Sequence, residues 1–123
     1  MVKKKRRIRI TIRPYDEAVE EIIETCERIE KGLPVSPADT ELSFEDAAHM
    51  LSTLSKKRME LLMHLHRQDP LTIRQLAKEL KRDYSVVHGD IKLLLHLGLL
   101  KKNKDEKIFV PWDELIIELP LAA

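Results

Sequence analysis

Between residues 56 and 110, apolar residues recur first with a helical period and then with a period of two. One helical stripe has the spacing i, i+3, i+4, i+7, and its members are Ile73, Leu76, Ala77 and Leu80. Gly98 ends the helical pattern, and two short segments around the polar turn 103–106 follow it. This order predicts helices followed by a β-hairpin and argues against an all-β sandwich or barrel.

Capping residues divide the helical stretch into three helices. Ser55 is expected to cap the first, and Thr72 with Gln75 three residues later matches a capping box for the second. The third runs from about 84 to 97, after a turn of a few residues. Two helices joined by a short turn, the second followed by a hairpin, predict a winged helix-turn-helix domain, mainly α with a small β component.

The N-terminal part has a different character, which predicts a strand-plus-helix extension over residues 1–42 ahead of the winged domain, 43–123. Residues 8–12 alternate apolar and polar side chains, as in a half-buried strand. Residues 16–31, here called the acidic segment, predict an amphipathic helix whose apolar stripe contacts a partner or a second copy of the chain. The members of that stripe are Val19, Ile22, Ile23, Cys26 and Ile29.

Two further elements are expected near these boundaries. Ser43 is predicted to cap a short helix that ends before Ser55. Residues 115–119 predict a strand, and its acidic neighbours complement the basic strand 8–12. Because each strand is too short to be stable alone, we expect the two to pair, within one chain or across a dimer.

Composition narrows the class of protein. A single cysteine cannot form an internal disulfide, which favours a reducing, cytoplasmic location. No apolar run approaches the ~20 residues of a membrane helix, and the basic start does not lead into a signal-peptide core, so neither a membrane partner nor secretion is expected. Charge is segregated: residues 1–15 carry +7, 16–46 carry −9 and 56–107 carry +6. Such blocks are typical either of an anionic partner or of solvated faces that attract each other.

Catalytic and metal motifs are missing from the sequence. It has no nucleophile elbow and no glycine-rich phosphate loop, so we expect no enzyme activity and no cofactor. The five histidines lack the spacing of metal ligands; His64 and His66, for example, point to nearly opposite sides of a helix. No metal site is predicted.

Two motifs resemble a known group of regulators. Residues 71–77 and 86–100 resemble the DNA-contacting segment of MarR- and ArsR-type regulators. The chain is most similar to small archaeal and bacterial regulators that carry Leu-Thr/Ser-x-x-Arg-x-Glu-Leu-Leu, matched by 54–62, and Arg-Asp-x-x-x-Val-His-x-Asp, matched by 82–90. Some members of that group are antitoxin-like, which implies a small toxin as a partner. Many of these relatives have arginine where this chain has Gly89.

The candidate DNA contacts lie between residues 74 and 107. Polar groups near the start of the third helix suit base edges or phosphates, and hairpin lysines suit phosphates. Asp90 is expected to pair with Arg74 or Lys78, and Gly89 to allow close packing or close approach to DNA. The full set of expected DNA-binding residues is Arg74, Arg82, Tyr84, Ser85, His88, Gly89, Lys92, Lys101, Lys102, Lys104 and Lys107.

The sequence thus leads to one function and one alternative. The first is a sequence-specific regulator that binds double-stranded DNA as a homodimer, with an antitoxin that represses its own operon as a special case. The alternative is a winged-helix module that binds another protein through the acidic segment and does not bind DNA. Basic groups at the third helix and the hairpin favour the first.

Overall fold

The structure is a computed structural model that describes residues 5–13, 20, 22–24, 26–27, 30–32 and 40–121. It contains helices and strands and divides into two compact units. Residues 5–6 and 53–113 form the helical unit; residues 7–52 and 114–121, as far as they are described, form the sheet unit. No helix in the described part of the chain is both long and apolar enough to span a bilayer.

The sheet unit is built around β1 (Arg7–Ile12), which lies between β2 (Thr40–Phe44) and β5 (Glu114–Ile117). Both pairings are parallel, with Ile8 opposite Leu115 on one side of β1. Ile8 and Ile10 are fully buried, as expected for a central strand. The predicted pairing of the two ends of the chain is therefore confirmed, and it forms within one chain.

Opposite charges accompany this pairing. Arg7 lies 3.8 Å from Glu114, and Arg9 lies 3.8 Å from Glu118. These side chains are exposed, so each ion pair contributes at most about 1 kcal/mol to the free energy of unfolding. The main effect of the two pairs is to favour this register of the strands. On the other side of β1, the Arg13 guanidinium donates to Glu41 at 3.0 Å.

Strand β2 corrects the prediction of a helix that starts at Ser43. Ser43 and Phe44 lie in the strand, opposite Thr11 and Ile12 of β1. The helix begins later, as α1 (Ala47–Thr53), and Asp46 is its cap because the carboxylate accepts the His49 backbone N–H at 2.7 Å. Residues 43 and 44 extend the strand instead of starting a helix because the Phe44 ring is buried in the core there.

The observed units also differ from the expected division at residues 42 and 43. β1 is the central strand of a sheet whose edges come from residues 40–44 and 114–117. The N-terminal strand is therefore an integral part of the sheet unit, and the end of the chain belongs to that unit too. Parallel pairing of β1 with β2 requires a long connection, which residues 13–39 supply.

The helical unit contains α2 (Lys56–His66), α3 (Ile73–Leu80) and α4 (Tyr84–His96), followed by a hairpin of β3 (Lys101–Lys102) and β4 (Ile108–Phe109). Predicted caps at Ser55 and at Thr72 with Gln75 are confirmed. Gly98 has a φ of +81°, which suits glycine at a helix end. The large, fully buried side chains of this unit are Leu61, Leu65, Leu76, Val87, Ile91, Leu94, Leu99, Leu100 and Ile108.

Trp112 closes the helical unit after the hairpin. Its indole N–H donates to the Gly98 carbonyl at 2.9 Å, and the Arg6 guanidinium lies 5.6 Å from the ring centroid. The backbone N–H of Asp113 donates to the Arg6 carbonyl at 2.8 Å, and the Arg6 N–H donates back to the Asp113 carboxylate. The residue before β1 is thereby tied to the residues before β5.

Candidate nucleic-acid interface

Arg58 joins α2 to α4. Its Nε lies 3.0 Å from the Asp90 carboxylate, and its Nη1 donates to the Thr53 carbonyl at 2.9 Å. The Asp90 side chain is only 16% exposed, so this pair is less screened than a surface pair. The expected pairing of Asp90 with Arg74 or Lys78 was wrong, because Arg58 reaches the carboxylate from the facing helix.

Arg82 fixes the turn before α4. Its Nη2 lies 2.8 Å from the Glu60 carboxylate, and its Nη1 donates to the Lys57 carbonyl at 3.0 Å. The side chain is 16% exposed. The guanidinium that the sequence assigned to DNA therefore already has two acceptors on α2, and its geometry makes it a positioning residue for α4.

These two contacts connect the two motifs of the sequence. Arg58 and Glu60 belong to the motif at 54–62, whereas Arg82 and Asp90 belong to the motif at 82–90. The charged positions of one motif thus pair with those of the other. Their common effect is to fix the start and the middle of α4 against α2.

Fixing α4 in this way leaves one face of its first three turns exposed. We call this the recognition face; its members are Tyr84, Ser85, Val86, His88, Gly89 and Lys92. Val86 is 54% exposed although its neighbour Val87 is fully buried. The sequence analysis did not include Val86 among the DNA contacts. It could have been found as an apolar side chain that lies outside the buried stripe of α4.

Contacts within the recognition face are few. The Ser85 hydroxyl donates to the Asp83 carboxylate, and the rings of Tyr84 and His88 lie 5.9 Å apart. The Arg74 guanidinium of α3 lies 5.5 Å from the Tyr84 ring centroid, which is a cation–π geometry. In the described part of the chain, no carboxylate forms an ion pair with Lys92.

Gly89 has no packing role among its neighbours. A Cβ atom built at this residue would meet no heavy atom within 4 Å, and the residue is exposed. The expectation of close packing against a neighbouring helix is therefore wrong. Glycine inside a helix costs about 1 kcal/mol relative to alanine, and nothing in the described residues offsets that cost.

The hairpin carries the second group of expected contacts. Lys101, Lys102 and Lys104 are exposed, whereas Lys107 is half-buried. The Asn103 side chain accepts the backbone N–H groups of residues 105 and 107 at 2.9 and 3.0 Å, which orders the tip. Ordered lysines of this kind can contact phosphates without folding on binding.

A protein-family model designated HVO_A0114 matches residues 53–117. The matched segment is more than half of the chain. The chain belongs to the HVO_A0114 family. No curated protein and no solved structure matches the sequence.

The HVO_A0114 match covers the elements that form the candidate interface. It contains α2, α3, α4 and both hairpin strands, and it ends with β5. Both motifs whose side chains form these ion pairs, 54–62 and 82–90, lie entirely within it. The acidic segment lies outside the matched region.

Other expected site residues lie in the acidic segment. Ile22, Ile23 and Cys26 are helical and exposed, so in this chain they are accessible to a partner. Val19 and Ile29 lie outside the described residues. Among the residues that are described, no three His, Cys, Asp or Glu side chains lie together as a metal-binding group.

Proposed function

We propose that this HVO_A0114 protein is a sequence-specific transcriptional regulator that binds double-stranded DNA through a winged helix-turn-helix domain. The observation that carries the proposal is the recognition face of α4. This 13-residue helix is fixed against α2 by the ion pair of Asp90 and by that of Arg82 in the turn before it, and the outer side of its first turns is exposed. A helix of this size fits the major groove of B-DNA.

The side chains of the recognition face supply several kinds of base contact. Val86 offers an apolar surface of the kind that contacts the methyl group of thymine. His88 and Ser85 offer hydrogen-bonding groups for base edges, and Lys92 offers a cation for a phosphate or a guanine. The lysines of the hairpin add phosphate contacts, which raise affinity without adding sequence preference.

Selection from a library of random-sequence duplexes tests the proposal. The protein is expected to enrich a defined sequence, and its affinity for the enriched duplex should fall steeply as salt rises. We also propose a homodimer, for which the enriched sequence should be a palindrome with half-sites about one or two helical turns apart. Failure to enrich any sequence, with binding no stronger than to random duplex, would contradict the proposed specificity.

Binding to another protein chain is the second candidate function, and one observation favours it. Ile22 and Ile23 are 62% and 53% exposed in a chain segment outside the family match. Adjacent exposed isoleucines are typical of a surface that another chain covers. A second copy of this chain or a small toxin protein are the partners that we propose for it.

Gly89→Ala is expected to separate stability from DNA binding. Alanine at this open position should stabilise the free protein by about 1 kcal/mol, because the helix loses its least favourable interior residue. The added methyl group should at the same time weaken binding to the enriched duplex, because we propose that Gly89 allows close approach of α4 to DNA. Thermal unfolding and fluorescence anisotropy measure the two effects. Unchanged affinity would exclude Gly89 from the contact.

A further inference from the structure

A cationic stripe runs along α3 and into the turn that follows it. Arg74 and Lys78 are spaced i and i+4 and share one face of the helix, Lys81 is its C-terminal cap, and all three are exposed. With Ala77, Arg82 and Tyr84 they line a pocket of about 410 Å³. The pocket therefore lies between α3 and the beginning of the recognition face.

The side chains that line this pocket carry an excess of positive charge. Four of its six lining residues are cationic and none is acidic. Arg82 pairs with Glu60, but in the described part of the chain no carboxylate pairs with Arg74, Lys78 or Lys81. Three like charges in one concave surface favour a bound anion.

Lys81 occupies a backbone conformation that favours glycine. Its φ is +56° and its ψ is 45°, at the C-terminal cap of α3. A side chain in the left-handed region is unfavourable, and glycine is the usual residue at such helix ends. The chain nevertheless has a lysine there, and that lysine lines the pocket.

The cationic side chains that line the pocket suit an anion such as phosphate. Ala77, which is 5% exposed, lines the pocket together with Arg74 and Lys78. The Arg74 guanidinium is held over the Tyr84 ring, which reduces the freedom that it would lose on binding. Guanidinium and ammonium groups together are typical ligands of phosphate.

The geometry points to a phosphate-binding pocket that takes a backbone phosphate of duplex DNA next to the base pairs contacted by α4. This inference rests on the proposed DNA binding and adds α3 residues 78 and 81 to the contact. It also replaces Arg82, whose guanidinium has acceptors on α2, as the principal phosphate contact near the turn.

Lys78→Ala, Lys81→Gly and their combination test the pocket. Arg67→Ala, at the end of α2, is the control for loss of one exposed cation. Affinity for the enriched duplex is measured by fluorescence anisotropy over a series of salt concentrations. The double variant should bind about tenfold more weakly and lower the slope of log K against log salt by about 0.9 or more, because a phosphate contact is lost. Arg67→Ala should leave affinity and slope unchanged.

Thermal unfolding excludes a folding defect as the cause. Lys81→Gly should keep or raise the Tm, since glycine relieves the strained backbone, while it weakens DNA binding. If the wild type binds no duplex, the proposed function itself is overturned. If the wild type binds duplex and the double variant keeps its slope, only the pocket is overturned.

Calorimetry with inorganic pyrophosphate distinguishes a DNA phosphate from a free phosphate compound. If the double variant loses pyrophosphate binding but keeps the salt slope of DNA binding, the pocket binds a free phosphate compound and the inference is contradicted.

Discussion

Replacing Ser85, Val86 and His88 together by alanine is expected to weaken binding to the enriched duplex by at least about a hundredfold. Each good base contact is worth about 1–3 kcal/mol, and about 1.4 kcal/mol corresponds to a factor of ten. Three contacts at the low end of that range already give the predicted loss. Binding to random duplex should change little, because the lysines that we propose as phosphate contacts are all kept.

A matched control replaces one serine, one apolar residue and one histidine elsewhere on the surface. Ser52, Met63 and His66 are exposed and lie outside α4. Their triple alanine variant should bind the enriched duplex as the wild type does. If the α4 variant also retains wild-type affinity and sequence preference, the bases are contacted by another part of the molecule.

Arg58→Ala is expected to have the largest effect on folding among the surface-accessible substitutions. It removes the ion pair to Asp90 and the hydrogen bond to the Thr53 carbonyl, and it leaves the largely buried Asp90 carboxylate without its cation. The cost is about 2 kcal/mol, as for hydrogen bonds to charged groups, and corresponds to a fall in Tm on the order of 8 °C. Chemical and thermal unfolding measure it.

A double-mutant cycle identifies the cause of that loss. Arg58→Ala combined with Asp90→Asn should be less destabilised than the sum of the two single variants, because the unpaired charge is no longer present. Additive effects would mean that the two side chains do not interact. Glu60→Gln should also lower the free energy of unfolding, but by less than Arg58→Ala does, since the Glu60 side chain is 49% exposed.

Local sequence signals predicted the helices of the helical unit well. The capping box at Thr72 depends only on a hydroxyl and on Gln75 three residues later, so both partners are visible in one short window. The same holds for Ser55 and for glycine at position 98. Pairing of β1 with β5 was also predictable, because their charges are complementary and the sequence shows no other strand candidate outside the hairpin.

Elements that depend on distant partners were predicted less well. Strand β2 was missed because its alternation spans only five residues and runs directly into helix-capping residues. The ion pair of Arg58 with Asp90 joins residues 32 apart, and no local pattern distinguishes it from the expected pairing with Arg74. The contact of Arg82 with Glu60 was missed for the same reason: a basic residue before a helix does not reveal that α2 places Glu60 beside it.

Amide NMR spectra of the protein titrated with the enriched duplex test the central claim most directly. We predict that the largest changes in chemical shift occur at residues 84–92 of α4, with smaller changes at the hairpin lysines 101–107. Signals from buried β1 residues such as Ile8 and Ile10 should stay in place. Changes confined to the sheet unit, or no changes in α4 at saturating DNA, would contradict DNA recognition through this helix.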